Sequence, residues 1–255
     1  MRVALLLSSG RHPVSGHPAP VQVELQALRL ARDLGADVTG LHAGPDIGPL
    51  RDTLGHGLKH LVHLATPAEA NPVPGLAAAL ASGGYDLILA GRAGQGGEDS
   101  GLLPYSLAHA LGLTIVADAA ALAVGDEPGT LVVEQALARG ARRRLVVQLP
   151  VLVTVHPAAP APLPFAFATA RRGAVETQAS PPATPPAPRD MEERPYRPRP
   201  KLIAKAAAGA SAAERLKAAT QSASGGGRLL VAPAPEEAAH EILRHLRALG
   251  LLPDR

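Results

Sequence analysis

The chain has no cysteine and no tryptophan, and its 255 residues include only two phenylalanines and three tyrosines. Without a thiol there is no disulfide framework, no thiolate nucleophile and no cysteine-ligated metal. With so few aromatic rings there are few platforms for bases to stack on, and a formal charge of +3 is mild, so nucleic acid is not an expected partner. No apolar run reaches the roughly 20 residues of a membrane span. Met1 leads straight into an apolar run with no secretory signal ahead of it, so the expectation is a soluble, cytoplasmic protein that does not insert in a membrane. The ten histidines are scattered, and no metal site is read from them. No catalytic triad or paired carboxylates stand out either.

What the chain does have is a stretch at 85–100, Tyr-Asp-Leu-Ile-Leu-Ala-Gly-Arg-Ala-Gly-Gln-Gly-Gly-Glu-Asp-Ser. Residues 86–90 are a short apolar run with no amphipathic period, as expected of a strand covered on both faces of a parallel sheet. Four glycines follow, Gly91, Gly94, Gly96 and Gly97, and Ser100-Gly101-Leu102 opens a helix. Strand, glycine turn and helix N-terminus together make an anion site. Glycine lets a ligand approach the backbone closely, and the first helical N–H groups point outward unpaired. The same residues suit a plain surface turn, and Ser100 suits a helix N-cap. The stretch alone leaves both readings open.

Around it, strands and helices alternate. Residues 3–7 read as a buried strand and 8–20 as a polar loop rich in glycine and proline. Val21, Leu25, Leu28 and Ala31 recur at helical spacing, with Gln22, Gln26 and Arg29 between them, until Gly35 stops the helix. Then come a strand at 38–41, a short helix at 47–54 ended by Gly55 or Gly57, and a strand at 59–64. A helix at 76–81, the strand at 86–90, a helix at 101–111 and a strand at 113–116 follow. This alternation specifies an α/β fold with a doubly wound, mostly parallel sheet. Residues 121–124, 131–137 and 144–149 are β-rich and separated by turn residues, which predicts an antiparallel meander within 119–149. One more apolar strand at 151–155 closes an α/β domain spanning 1–157.

Residues 158–227 carry many prolines, few large apolar residues and no period, which predicts a disordered linker or an extended arm laid on another surface. A last unit is expected at 228–255, with a strand-like piece at 228–231 and a helix from Pro235. Its apolar face is Ala239, Ile242, Leu243, Leu246 and Leu249, and Gly250 ends it. Proline in the first turn with Glu236 and Glu237 behind it suits the helix dipole, and a helix this short needs a surface to dock on.

Taken in order, these pieces resemble the β subunit of electron transfer flavoproteins. That family carries a strand and loop of the type D-L-I-L-x-G-[KR]-x-A, and residues 86–101 read DLILAGRAGQGGEDSG. The family's N-P-x-x-x-x-A-x-E-E-A has its counterpart in His17-Pro18 and Glu24-Leu25-Gln26-Ala27, and its Gly-Pro after the second strand in Gly44-Pro45. Residues 50–59 stand for L-R-x-A-L-x-x-G-A-D, 149–155 for L-P-A-V-V-T-V, and Ala170-Arg171-Arg172 for the basic A-K-K. Some positions depart. The glycine loop is about two residues shorter, with Gly96-Gly97 where the family has its first aspartate, and His17 replaces an asparagine. Ala136-Leu137 replaces an Arg-Glu pair, and Ser8 or Ser9 replaces the lysine or arginine after strand one.

The resemblance implies a Rossmann-like fold of the adenine-nucleotide-hydrolase type, paired with a larger α subunit into a heterodimer. One FAD, held chiefly by the α subunit, would take electrons from flavoprotein dehydrogenases and pass them to a quinone oxidoreductase. AMP would sit in the β subunit's own glycine-loop pocket. The redox chemistry is then the flavin's, and the chain is an electron carrier subunit and not an enzyme with catalytic side chains. Carried over onto this sequence, the pocket comprises Leu6, Ala43, Gly91, Arg92, Ala93, Gly94, Gln95, Gly96, Gly97 and Ser100, with His17 leaning toward the FAD cleft. Arg171 and Arg172 would face the α subunit, and Met191 and Tyr196 would meet a donor dehydrogenase. Two other readings stay open: a bifurcating flavoprotein subunit with a second FAD, and a stand-alone adenine-nucleotide-binding protein of the universal-stress type.

Overall fold

A computed structural model describes residues 1–12, 14–68, 70–94, 100–179, 211, 230–231, 233–248 and 251. The chain divides into two units, Met1–Asp190 and Met191–Arg255.

The first unit is built on a nine-stranded sheet. Its elements begin with β1 (Arg2–Leu6), a hairpin of β2 (Ser9–Arg11) and β3 (Pro18–Pro20), α1 (Gln22–Asp33) and β4 (Asp37–Gly44). A 3-10 helix (Gly48–His56), β5 (His60–Ala65), α2 (Val73–Gly83), β6 (Leu87–Gly91) and α3 (Leu103–Leu111) follow. Then come β7 (Thr114–Val124), β8 (Thr130–Ala136), β9 (Arg142–Gln148), β10 (Val151–Val155), α4 (Phe167–Arg172) and β11 (Ala174–Ala179). The strand order is β11-β5-β4-β1-β6-β10-β7-β8-β9. From β11 to β7 all neighbours are parallel, and β7, β8 and β9 form the antiparallel meander. The sheet is doubly wound.

The apolar runs are explained by burial on both faces. Val3, Leu5, Leu87, Leu89, Val151 and Val153 point to one layer, with α1 and the 3-10 helix against them. Ala4, Leu6, Ile88, Ala90 and Leu152 point to the other, under α2 and α3. Every residue of β6 and β10 is buried, so neither strand shows an alternation of apolar and polar side chains.

The structure places the β2–β3 hairpin inside the expected loop at 8–20, and in the first unit it departs from the sequence reading in three further places. The expected strands at 113–116 and 121–124 are one strand, β7, whose first half pairs parallel with β10 and whose second half pairs antiparallel with β8. Asp118 sits between the halves at φ 57°, with its N–H donating to Thr154 Oγ1 at 3.0 Å. Alanines at 117, 119, 120, 121 and 123, weak strand formers, hid the continuity. Second, residues 158–179 return to the sheet: Ala159 is buried and β11 pairs with β5 over six positions. Hydrogen bonds to backbone tie this segment down, from Gln26 Nε2 to Ala159 O at 2.7 Å, from Ala166 N to Gly55 O at 2.9 Å and from Ala174 N to Lys59 O at 2.9 Å. Backbone pairing leaves no apolar period to read. Third, α3 starts at Leu103, and the serine expected to cap it lies two residues before the capping position at Leu102.

In the second unit, α5 (Pro235–Ala248) carries Glu236 and Glu237 in its first turn and His245 and Arg247 in its last. Leu230 and Val231, the described part of the expected strand at 228–231, are not in a strand. Met191 and Tyr196 lie outside the described residues. Among the described residues, no helix is long and apolar enough to cross a membrane.

Candidate functional site

From β1 the chain moves to β4 and β5 on one side, then returns to β6 on the other. The strand order therefore reverses between β1 and β6. In an open doubly wound sheet, the crevice beyond the carboxyl ends of the strands at such a reversal is where ligands bind. The structure brings Leu6, Ala43 and Gly91 to the carboxyl ends of three adjacent strands, β1, β4 and β6. Leu6 is buried and Ala43 half-buried, both in the α2–α3 layer.

The turn after β6 is kept bare of side chains where it is tightest. An added Cβ at Gly91 would come 3.3 Å from Glu24 Cγ, and one at Gly94 would come 3.5 Å from Ser8 Cβ and Oγ. Gly101 has φ +70°, and a Cβ there would lie 2.9 Å from the Arg92 carbonyl oxygen. Only glycine meets both demands without strain. Ala93 is half-buried beside them. Arg92 is exposed, with Nε 3.4 Å from Asp118 Oδ1, so the guanidinium spans from this turn to β7. The Ser100 hydroxyl accepts from the Leu102 N–H at 3.3 Å, a local turn ahead of α3. Gln95, Gly96 and Gly97 lie outside the described residues. His17 sits exposed on the β2–β3 hairpin, where its carbonyl accepts from the His12 N–H at 2.8 Å, and the hairpin packs against the 3-10 helix.

The residues that sequence reading missed lie underneath. Glu24 Oε2 accepts from the Ser8 N–H at 2.8 Å, and Glu24 Oε1 lies 2.5 Å from Ser8 Oγ. Glu24 is only 2% exposed, and among the described residues it forms no ion pair. Burial pushes its carboxyl up to about 8, outweighing the Ser8 hydrogen bonds, which pull it down. It is therefore protonated at neutral pH and puts no charge under the crevice. On β4, His42 Nδ1 lies 2.9 Å from the Leu7 carbonyl oxygen, which can only accept, so Nδ1 carries the proton. Burial holds His42 below the ordinary histidine range, and stacking on His63 at 5.7 Å adds to this. A signal for Glu24 existed. It stands three residues after Val21 and four before Leu28, on the apolar face of α1, and the family's cation after strand one is here a serine.

The arrangement suits an adenine nucleotide. It offers a turn without side chains at buried Gly91 and half-buried Gly94, a guanidinium nearby, a buried acid beneath, and the apolar strand ends at Leu6 and Ala43. Fold and crevice together define a doubly wound, Rossmann-like α/β chain. The comparisons with known proteins narrow this. The sequence model of the Electron transfer flavoprotein domain matches residues 15–183. The electron transfer flavoprotein subunit beta of Chromohalobacter salexigens is 40% identical over 254 residues, covering 97% of this chain and 94% of that protein. The chain belongs to the electron transfer flavoprotein family, among its β subunits.

Proposed function

We propose that the chain is one half of a heterodimeric, cytoplasmic electron carrier, in which it binds AMP at the β1/β6 crevice and helps an α subunit enclose one FAD. When bound, FAD supplies the electron transfer, and this chain contributes walls and docking surfaces. The observation that carries the AMP reading is the Gly91–Gly94 turn lying over the buried Glu24 at the point where the strand order reverses; burial there favours the neutral carboxyl. A charged carboxylate there would repel a phosphate, and a side chain at Gly91 or Gly94 would keep the phosphate off the backbone. Gln95, Gly96, Gly97 and Ser100, next in the sequence, belong to the same proposed pocket, and the exposed Arg92 guanidinium, at a long 3.4 Å from Asp118 Oδ1, is the cation nearest to hand for a phosphate. His17 borders the FAD cleft. The last unit, 228–255, docks on the α subunit through α5.

Donor dehydrogenases dock elsewhere on the first unit, and a quinone oxidoreductase accepts the electrons. The chain's two phenylalanines support a docking face: Phe165 and Phe167 are 48% and 69% exposed. They line an open cleft of about 480 Å³ with Arg51 and Arg171. Asp52 lines the cleft too, so its rim carries both signs with cations in excess. Exposed apolar side chains beside two arginines suit a donor that presents an apolar anchor with acidic residues near it.

The test is to co-purify the chain with its α partner, count flavins from the absorbance spectrum, and release and identify the bound nucleotides. One FAD and one AMP per heterodimer is the expected result. Two FAD and no AMP would assign a second flavin to the crevice, and a chain that forms no complex with any flavin-carrying α partner would overturn the carrier reading.

A further inference from the structure

The peptide that joins Leu7 to Ser8 emerges from the carboxyl end of β1, and both of its polar atoms are held by buried titratable side chains. The His42 Nδ1–H donates to the Leu7 carbonyl at 2.9 Å, and the Ser8 N–H donates to Glu24 at 2.8 Å. The two side chains come from different elements, β4 and α1, and are 4% and 2% exposed. The donor–peptide–acceptor line fixes the plane of that one peptide. An apolar pair would fill the same space without the desolvation cost of two ionisable groups, but it would leave the peptide free to rotate.

The glycine turn rests directly on this support. Gly94 faces Ser8, where an added Cβ would make an ordinary contact at 3.5 Å, and Gly91 faces Glu24, where one would be tight at 3.3 Å from Cγ. Any rotation of the Leu7–Ser8 peptide moves Ser8 and so moves the turn. We infer that Glu24 and His42 are positioning residues for the nucleotide crevice, setting the separation between the Gly91–Gly94 turn and the strand ends through the Leu7–Ser8 peptide. The inference rests on the AMP reading above. Neither residue needs to touch the nucleotide.

The test uses the full chain in complex with its α subunit, stripped of nucleotide, with AMP binding followed by calorimetry and the thermal midpoint recorded for every variant. Glu24→Ala removes the carboxyl that accepts from the Ser8 N–H and is expected to weaken AMP binding by about tenfold or more. Glu24→Gln keeps an acceptor for that N–H and a donor for Ser8 Oγ, and is expected to bind within about threefold of the parent. The His42 pair repeats the logic from the other side. His42→Leu keeps the volume without the donor and should behave like Glu24→Ala, while His42→Asn keeps a donor toward the Leu7 carbonyl and should behave like Glu24→Gln. Rescue by both conservative variants separates positioning from mere loss of stability, and the His42 pair serves if Glu24→Ala does not fold. Glu24→Ala and His42→Leu binding as tightly as the parent would overturn the inference. So would Glu24→Gln binding as weakly as Glu24→Ala. A parent complex that binds no AMP would sink the nucleotide reading itself, and this inference with it.

Discussion

Replacing Glu24 by glutamine should change how the protein's stability depends on pH. In the fold the Glu24 carboxyl holds its proton up to about pH 8, whereas in the unfolded chain it loses it near 4.5. The folded state thus binds one more proton than the unfolded state across that window, and stability must fall as pH rises through it. Each pH unit costs about 1.4 kcal/mol, so the penalty reaches about 5 kcal/mol by pH 8 and stays level above it. Against a typical total of about 5–15 kcal/mol that is a large share. Glutamine has the same length, accepts from the Ser8 N–H and carries no proton to lose. Urea denaturation of both proteins from pH 4.5 to 9 measures the effect. The two should be nearly equal at the acid end, with the glutamine variant gaining steadily until about pH 8. The contribution of every other titrating group cancels in the difference. A difference that does not move with pH would refute the neutral-carboxyl argument. A parent that gains on the variant as pH rises would mean that a cation reaches Glu24.

Four further outcomes are expected. Burial holds His42 below 6.5, so the unfolded chain takes up a proton there that the folded chain refuses; stability is lost as pH falls through 6.5, and His42→Asn should flatten that acid limb in the same urea series. Leu89→Ala, in the fully buried central strand, should cost about 2–5 kcal/mol, whereas Val146→Ala on exposed β9 should stay within about 0.5 kcal/mol. Gly101→Ala should cost about 1–3 kcal/mol, since it must hold φ +70° with a Cβ 2.9 Å from the Arg92 carbonyl, and a neutral result by thermal denaturation would mean the turn is shaped otherwise. Changing Phe165 and Phe167 together to serine should raise the KM for the complex as electron acceptor from its native dehydrogenase by about tenfold or more, and leave the bound flavin spectrum as it is.

Which parts of the fold were legible in the sequence follows from what side-chain patterns record. Residues 86–90 and 151–155 announce strands buried on both faces because nothing but apolar side chains fits between two helical layers. The same patterns do not record neighbours. That β10 inserts between β6 and β7 is decided by backbone pairing on both of its edges, to which every apolar strand is equally suited. The return of residues 158–179 was illegible for the same reason, since β11 is Ala-Val-Glu-Thr-Gln-Ala, an edge strand recruited by β5 through its backbone. The turn glycines Gly91 and Gly94 were legible because the absence of a side chain is itself a pattern, whereas Gly101, expected to begin a helix, lies ahead of α3 at φ +70°.

The candidate site divides along that line. Its ligand-facing half is written in glycines and was visible. Its supporting half is written in hydrogen bonds to a single peptide, from residues 16 and 35 positions away in the chain, and was not. Glu24 could have been noticed as an acid on an apolar helix face, but only the structure shows that it answers to Ser8 and not to a cation. On the proposed AMP reading, the glycines leave room for a nucleotide, and the buried acid and histidine fix where that room is. A substitution that keeps every glycine can therefore still lose the site, provided that it frees the Leu7–Ser8 peptide to turn.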